Sequence, residues 1–177
     1  MRRKTKYDMS KLTQVANNKS VVSVYVDAFP IEQVKFKFAE FENASNSIDI
    51  YLSFEEVLRL TQDCKSGKLF KDATSNQYGL QIAFGGSIKN GTPESRVLGL
   101  KMSGDKVYLN AQKGKGKQNS TGAILPDGSP DVKVSVGMTI DTFKGMMLYT
   151  ESAINAYLVP FINNMVKIAE ENRNMSC

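Results

Sequence analysis

The stretch Ile48-Asp-Ile-Tyr-Leu-Ser-Phe-Glu-Glu-Val-Leu-Arg-Leu60 changes its hydrophobic period in the middle. Ile48, Ile50 and Leu52 alternate with Asp49 and Tyr51, which is the pattern of a strand with one buried face. From Ser53 onward the period is helical, with Phe54, Val57, Leu58 and Thr61 on one side. Ser53 and Glu56 are spaced as a capping box, in which each side chain takes up the other's orphan backbone N–H. Gly67 supplies the stop. A strand therefore passes into a helix with no loop between them. The same event recurs at Val132-Lys-Val-Ser-Val-Gly-Met-Thr-Ile-Asp-Thr-Phe143. There Val132, Val134 and Val136 alternate, Thr139 and Thr142 make a weaker cap, and Asp141 complements the helix dipole.

Other strands lead up to each junction. Val22, Val24 and Val26, then Val34, Phe36 and Phe38, precede the first, with turn chemistry over Asn43–Ser47. Leu80, Ile82 and Phe84, all expected to face inward, precede the second, followed by Leu98, Leu100, Met102 and by Val107, Leu109, Ala111. Gly85-Gly86 permits a bulge, Ser103-Gly-Asp105 reads as a tight hairpin, and Pro126-Asp-Gly128 as a turn. Lys113-Gly-Lys-Gly-Lys-Gln-Asn-Ser-Thr-Gly122 breaks the alternation and reads as a flexible loop. A long amphipathic helix closes the chain, and Pro160 predicts a kink or break inside it. The expected fold class is α+β: duplicated antiparallel β-sheet-plus-helix units with a long C-terminal helix. The alternative is an OB-like five-stranded barrel over 21–112, with its helix at 53–66 and the C-terminal helix appended. Residues 1–19 read as a mobile basic arm, 20–170 as a single globular domain, and 171–177 as a flexible tail.

Composition narrows the chemistry. The 177 residues contain no histidine and no tryptophan, and only two cysteines, Cys64 and Cys177. Histidine-dependent triads and histidine metal sites are excluded, and so is a disulfide framework. A P-loop and a dinucleotide fingerprint are both missing. Glu55 with Glu56, and Asp127 with Asp131, have local explanations in a helix start and a turn. Cys64 reads as a packed core thiol. No enzyme activity, cofactor or metal is expected. Without an 18-residue apolar run or an apolar segment after the basic start, neither a membrane span nor secretion is expected. The expected location is the cytoplasm or another reducing compartment.

The net charge is +5, from 23 basic and 18 acidic residues. The excess is segregated, with six basic against one acidic residue in 1–20 and ten against five in 67–137. Such segregation suits a polyanionic partner. Strand parity places Tyr25, Lys35, Lys37, Gln81, Lys101, Lys106, Tyr108, Asn110, Gln112 and Lys133 opposite the apolar positions. Lysines neutralise phosphates, flat rings stack on unpaired bases, and amides bond base edges or sugars, so this face fits a single-stranded nucleic acid, DNA or RNA. Lys113, Lys115 and Lys117 could wrap the backbone. The competing reading is a solvated sheet face kept soluble by lysine. The apolar stripe of the last helix first serves the core. Its length predicts that Phe143, Met147, Ile154, Tyr157 and Phe161 also meet another subunit.

The second half resembles the Whirly family of single-stranded DNA-binding proteins. The similarity is carried by Lys113-Gly-Lys-Gly-Lys117, Leu125-Pro-Asp-Gly-Ser129, Val132-Lys-Val-Ser-Val136, and Met138-Thr-Ile-Asp-Thr-Phe143 leading to Leu158-Val-Pro-Phe-Ile162. The first half matches in element order. The resemblance implies a duplicated sheet-plus-helix fold, a tetramer centred on helices around Phe143–Phe161, and single strands held along sheet faces with little sequence preference. It also implies contacts from the 113–117 lysines and a role in DNA replication, recombination or repair. The family's Lys-Gly-Lys-Ala-Ala-Leu assembly motif is absent from the first half, so larger assemblies are not implied.

Overall fold

The computed structural model describes residues 9–43 and 45–175. Four strands open the chain: β1 (Lys11–Ala16), β2 (Ser20–Tyr25), β3 (Gln33–Glu40) and β4 (Ser47–Ser53). They pair antiparallel in the order β1-β2-β3-β4. Two helices follow, α1 (Phe54–Lys65) and α2 (Lys68–Ser75). The second half holds β5 (Leu80–Lys89), β6 (Thr92–Ser103), β7 (Lys106–Gln118), β8 (Ile124–Pro126) and β9 (Val132–Thr139), and α3 (Ile140–Met175). β5, β6, β7 and β8 are neighbours in that order, while β9 pairs with the first part of β7. The class is α+β, with two antiparallel sheets, the second curled into a half-barrel, and a long C-terminal helix.

Both strand-to-helix junctions form as their residues dictate. Glu56 N–H donates to Ser53 Oγ at 3.1 Å and Ser53 N–H donates to Glu56 Oε2 at 2.8 Å, so the capping box is complete. At the second junction Thr142 N–H donates to Thr139 Oγ1 at 3.2 Å. Gly67 follows α1 with φ +77°, a backbone state that favours glycine. Since each helix starts where a strand ends, its apolar face is delivered to the core that the two sheets share.

One core results. Val22, Val24, Phe36, Phe38, Ile48, Ile50 and Leu52 bury the inner face of the first sheet. Leu98, Leu100, Val107, Leu109, Val134, Val136 and Met138 do the same for the second. Phe54 and Val57 of α1, Leu69 and Phe70 of α2, and Phe143, Met147 and Ile154 of α3 complete it. β9 lies against all four strands of the first sheet. Ser20 Oγ donates to the Ser135 carbonyl at 2.6 Å across that junction.

Several expectations are corrected. The proposed arm over 1–19 gives way to strand β1, paired with β2 over Lys11–Ala16; residues 1–8 lie outside the described residues. The five-stranded barrel over 21–112 does not form, because β1–β4 close among themselves. Lys68–Ser75 is a helix that the sequence reading passed over. The helix α3 continues through Pro160 and past residue 171, so neither the break nor the tail over 171–175 is present. Residues 176 and 177 of that tail lie outside the described residues. Ala156, whose carbonyl the proline ring leaves without its helical donor, is exposed to water.

The two most consequential corrections concern glycine and register. Lys113–Gln118 belongs to β7 and is not a loop. A Cβ on Gly116 would stand 2.5 Å from Ile124 Cγ2, and one on Gly114 2.9 Å from Pro130 Cα. These glycines let β8 and the following turn approach the sheet, which is how it curls. In β5 the register shifts between Gln81 and Ala83. One extra residue reverses facing, so Phe84 points away from the core and is 52% exposed.

Candidate nucleic-acid interface

The outer face of the second sheet is assembled by strand register. Lys101 pairs with Tyr108, which pairs with Gly137. Gln81 pairs with Gly99, then Asn110, then Ser135. Phe84 pairs with Val97, then Gln112, then Lys133. Lys106 shares the facing of Tyr108 one step along β7. Seven of the thirteen residues named from the sequence are thus on one surface: Gln81, Lys101, Lys106, Tyr108, Asn110, Gln112 and Lys133. Gln81 and the three lysines are exposed, and Tyr108 and Asn110 are half-buried.

Local packing sets how these groups are offered. A Cβ at Gly137 would stand 2.8 Å from Tyr108 Cε1. The ring therefore lies down across the glycine, where its upper face can receive another flat ring. Asn110 Nδ2 reaches only a long contact, 3.4 Å, to the Tyr108 carbonyl. Beside β9 a groove of about 330 Å³ is lined by Lys19, Glu40, Asn110, Gln112, Lys133 and Ser135.

The other expected contacts lie elsewhere. Tyr25 is 6% and Lys35 2% exposed, so neither can meet a ligand without rearrangement. Lys35 is ion-paired with Asp27, and its ammonium sits 4.7 Å from the centre of the Tyr25 ring. Burial drives this arrangement, because an ammonium held that far from water needs both a carboxylate and a π face. Lys37 is half-buried on the outer side of the first sheet, between Ser23 and Asp49. The inner faces of both sheets share one core, so their outer faces belong to different surfaces. Lys113, Lys115 and Lys117 alternate with Gln112, Gly114 and Gly116 and point to the side opposite Tyr108. Lys113 Nζ is turned to the Ser47 carbonyl at 3.4 Å, while Lys115 and Lys117 are exposed.

The expected subunit contacts divide in the same way. Phe143, Met147 and Ile154 are wholly buried in their own core and cannot serve an interface. Tyr157 packs edge-on against Phe29 at 5.4 Å and stays partly exposed. Phe161 is 55% exposed, and Val159, Ile162, Met165, Val166 and Ile168 are similarly open.

Among the described residues, Cys64 and Glu94 depart from their ordinary titration values. Burial pushes the Cys64 thiol up to about 11, with Lys144 pulling slightly the other way. Such a thiol holds its proton and is a poor nucleophile. At Glu94 burial acts to raise the carboxyl, and the bonds and charges of Arg96 and Lys89 outweigh it, leaving it below its ordinary value. Arg96 lies 2.8 Å and Lys89 3.3 Å from the Glu94 carboxylate. Among the described residues no three His, Cys, Asp or Glu side chains converge as metal ligands, and no helix is long and apolar enough to cross a membrane.

Phe84 and Lys19 border the surface without being among the residues expected on it. Phe84 was hidden by the bulge and Lys19 by the reading of its segment as an arm. No protein-family model matches this chain, and no curated protein matches it in sequence.

Proposed function

We propose that this chain binds single-stranded nucleic acid, DNA foremost, on the outer face of its second sheet, as a homo-oligomer with a tetramer favoured. The observation that carries the reading is the joint placement of Lys101, Lys106 and Lys133 with the recumbent ring of Tyr108 on one accessible face. Lysines there neutralise phosphates at any sequence, and ring stacking tolerates any base. The strand is held extended with little sequence preference, a capacity used in replication, recombination or repair. Duplex DNA hides its base faces and gains only the phosphate contacts. The meander-then-helix order of both halves agrees with the Whirly-like duplicated unit, and the apolar stripe of α3 supplies a surface for assembly.

A gel-shift series tests this with oligo-dT, duplex DNA and single-stranded RNA of one length across salt concentrations. The expected result is tight, salt-sensitive binding of unpaired DNA and weak binding of duplex. Equal binding of both, or none, overturns it. The second reading is an oligomeric scaffold whose lysines only solubilise it; the α3 stripe supports that as well, and it predicts assembly with no shift.

A further inference from the structure

A second recess adjoins this face. Between β4 of the first sheet and β5–β6 of the second lies a cleft of about 460 Å³. Asp49, Tyr51 and Gln33 form one wall, and Phe84, Gly85 and Arg96 the other. We propose that it receives one base of the bound strand and prefers a base bearing an exocyclic amino group.

This deepens the reading above and rests on it. Phe84 belongs both to the row Phe84–Val97–Gln112–Lys133 and to the cleft wall, while Gly85 and Arg96 face the other side of the sheet, so a strand crossing that row reaches the cleft by passing round the edge strand β5. Phe84 is half exposed, offering ring surface to a flat guest. Gly85 keeps the space clear, since a Cβ there would meet nothing within 4 Å.

The polar groups select what enters. Asp49 makes no hydrogen bond or ion pair among the described residues. Glu56, also on the lining, commits Oε2 to its capping box. The single cation, Arg96, already has its Nη2 on Glu94 and Ser87. The Asp49 carboxylate accepts hydrogen bonds from a neutral ring. Adenine, cytosine and guanine present an amino donor to such acceptors, whereas thymine presents carbonyl oxygens flanking one N–H. Arg96 Nε is buried without a partner, so Asp49 is the polar group of the cleft that a base edge meets. Only one base per site is read, so a mixed strand slides until an amino-bearing base falls there and overall sequence preference stays low.

Fluorescence anisotropy with oligo-dT, oligo-dC and oligo-dA of equal length at one salt concentration is the test. Wild-type protein should hold dC and dA about tenfold tighter than dT, the scale of one good base contact. Gly85→Val, which fills the cleft, and Asp49→Ala, which removes the acceptor, should each bring the dC-to-dT ratio to about one while dT binding persists. Equal affinity of the wild type for all three overturns the base preference and leaves the sheet-face reading standing. Failure to bind any of them overturns both. A ratio unchanged in Gly85→Val places the discrimination outside the cleft and overturns the assignment.

Discussion

The ring of Tyr108 lies across Gly137, and a Cβ at 137 would come within 2.8 Å of Tyr108 Cε1. The glycine acts on the interface by leaving room for a neighbour's ring. Gly137→Val should lift that ring and lose about tenfold in affinity for oligo-dT, within the range of one base stack. Tyr108→Ala should lose a similar amount and Tyr108→Phe almost none. Anisotropy titrations at fixed salt provide the check. Wild-type binding by both Gly137→Val and Tyr108→Ala would remove Tyr108 from the site.

The lysines separate into two sets by facing. Lys101 and Lys133 share the surface of Tyr108, while Lys115 and Lys117 project from the other side of β7. Charge reversal of Lys101 and Lys133 should weaken oligo-dT binding severely and flatten its salt dependence, since each phosphate contact contributes to the salt slope. Reversal of Lys115 and Lys117 should change affinity only about twofold, through long-range repulsion screened beyond ~10 Å. The opposite ranking would move the interface to the side of β7 opposite Tyr108.

Much of the fold was legible because its strands are buried on one face. Val22–Val24, Val34–Phe38 and Ile48–Leu52 could not slip by one residue without placing their apolar set in water. The capping box at Ser53 and the two-residue turn at Gly104-Asp105 were local chemistry with one reading each. What failed to show was non-local. Gly114 and Gly116 look like loop residues until Ile124 and Pro130 are found against them. A single extra residue after Gln81 turned Phe84 outward, and periodicity carries no mark of where a ladder will bulge. Lys35 and Tyr25 obey strand parity as expected, yet Asp27 reaches back to hold the ammonium. Parity tells which face a residue is on; it does not tell whether that face is open.

Glu94 links pH to stability. Burial acts to raise its carboxyl, but Arg96 and Lys89 prevail and hold it below the ordinary value of 4.5. Folding thus favours the ionised form. The stabilisation is complete above the unfolded-state value and is lost as pH falls through the lower folded-state value. Glu94→Gln should cost ~1 kcal/mol near neutral pH, the scale of a charge-assisted bond discounted for partial exposure. The gap should close as pH falls below the ordinary carboxylate range. Urea midpoints at several pH values measure it, and a gap that persists in acid would exclude this pair as its source.

The proposed assembly would turn on the last part of α3, since Phe143, Met147 and Ile154 are consumed by the core. Leu158, Val159, Phe161, Ile162, Met165, Val166 and Ile168 cover about 180° of the helix at ~100° per residue, and Asn163, Asn164 and Lys167 take the remainder. A two-stranded seam uses a narrower stripe. The breadth here allows each helix two neighbours, which a bundle of more than two chains provides and which agrees with the tetramer proposed above. Phe161→Glu or Met165→Glu places a carboxylate in that seam, where burial would be costly. Light scattering should then report a mass near the 19.6 kDa protomer, against a multiple of it for wild type. The variant should keep its thermal midpoint, because neither residue belongs to the core, and should bind long strands more weakly as linked sites are lost. A wild-type protein that is already monomeric at micromolar concentration would show that the stripe does not join copies of this chain.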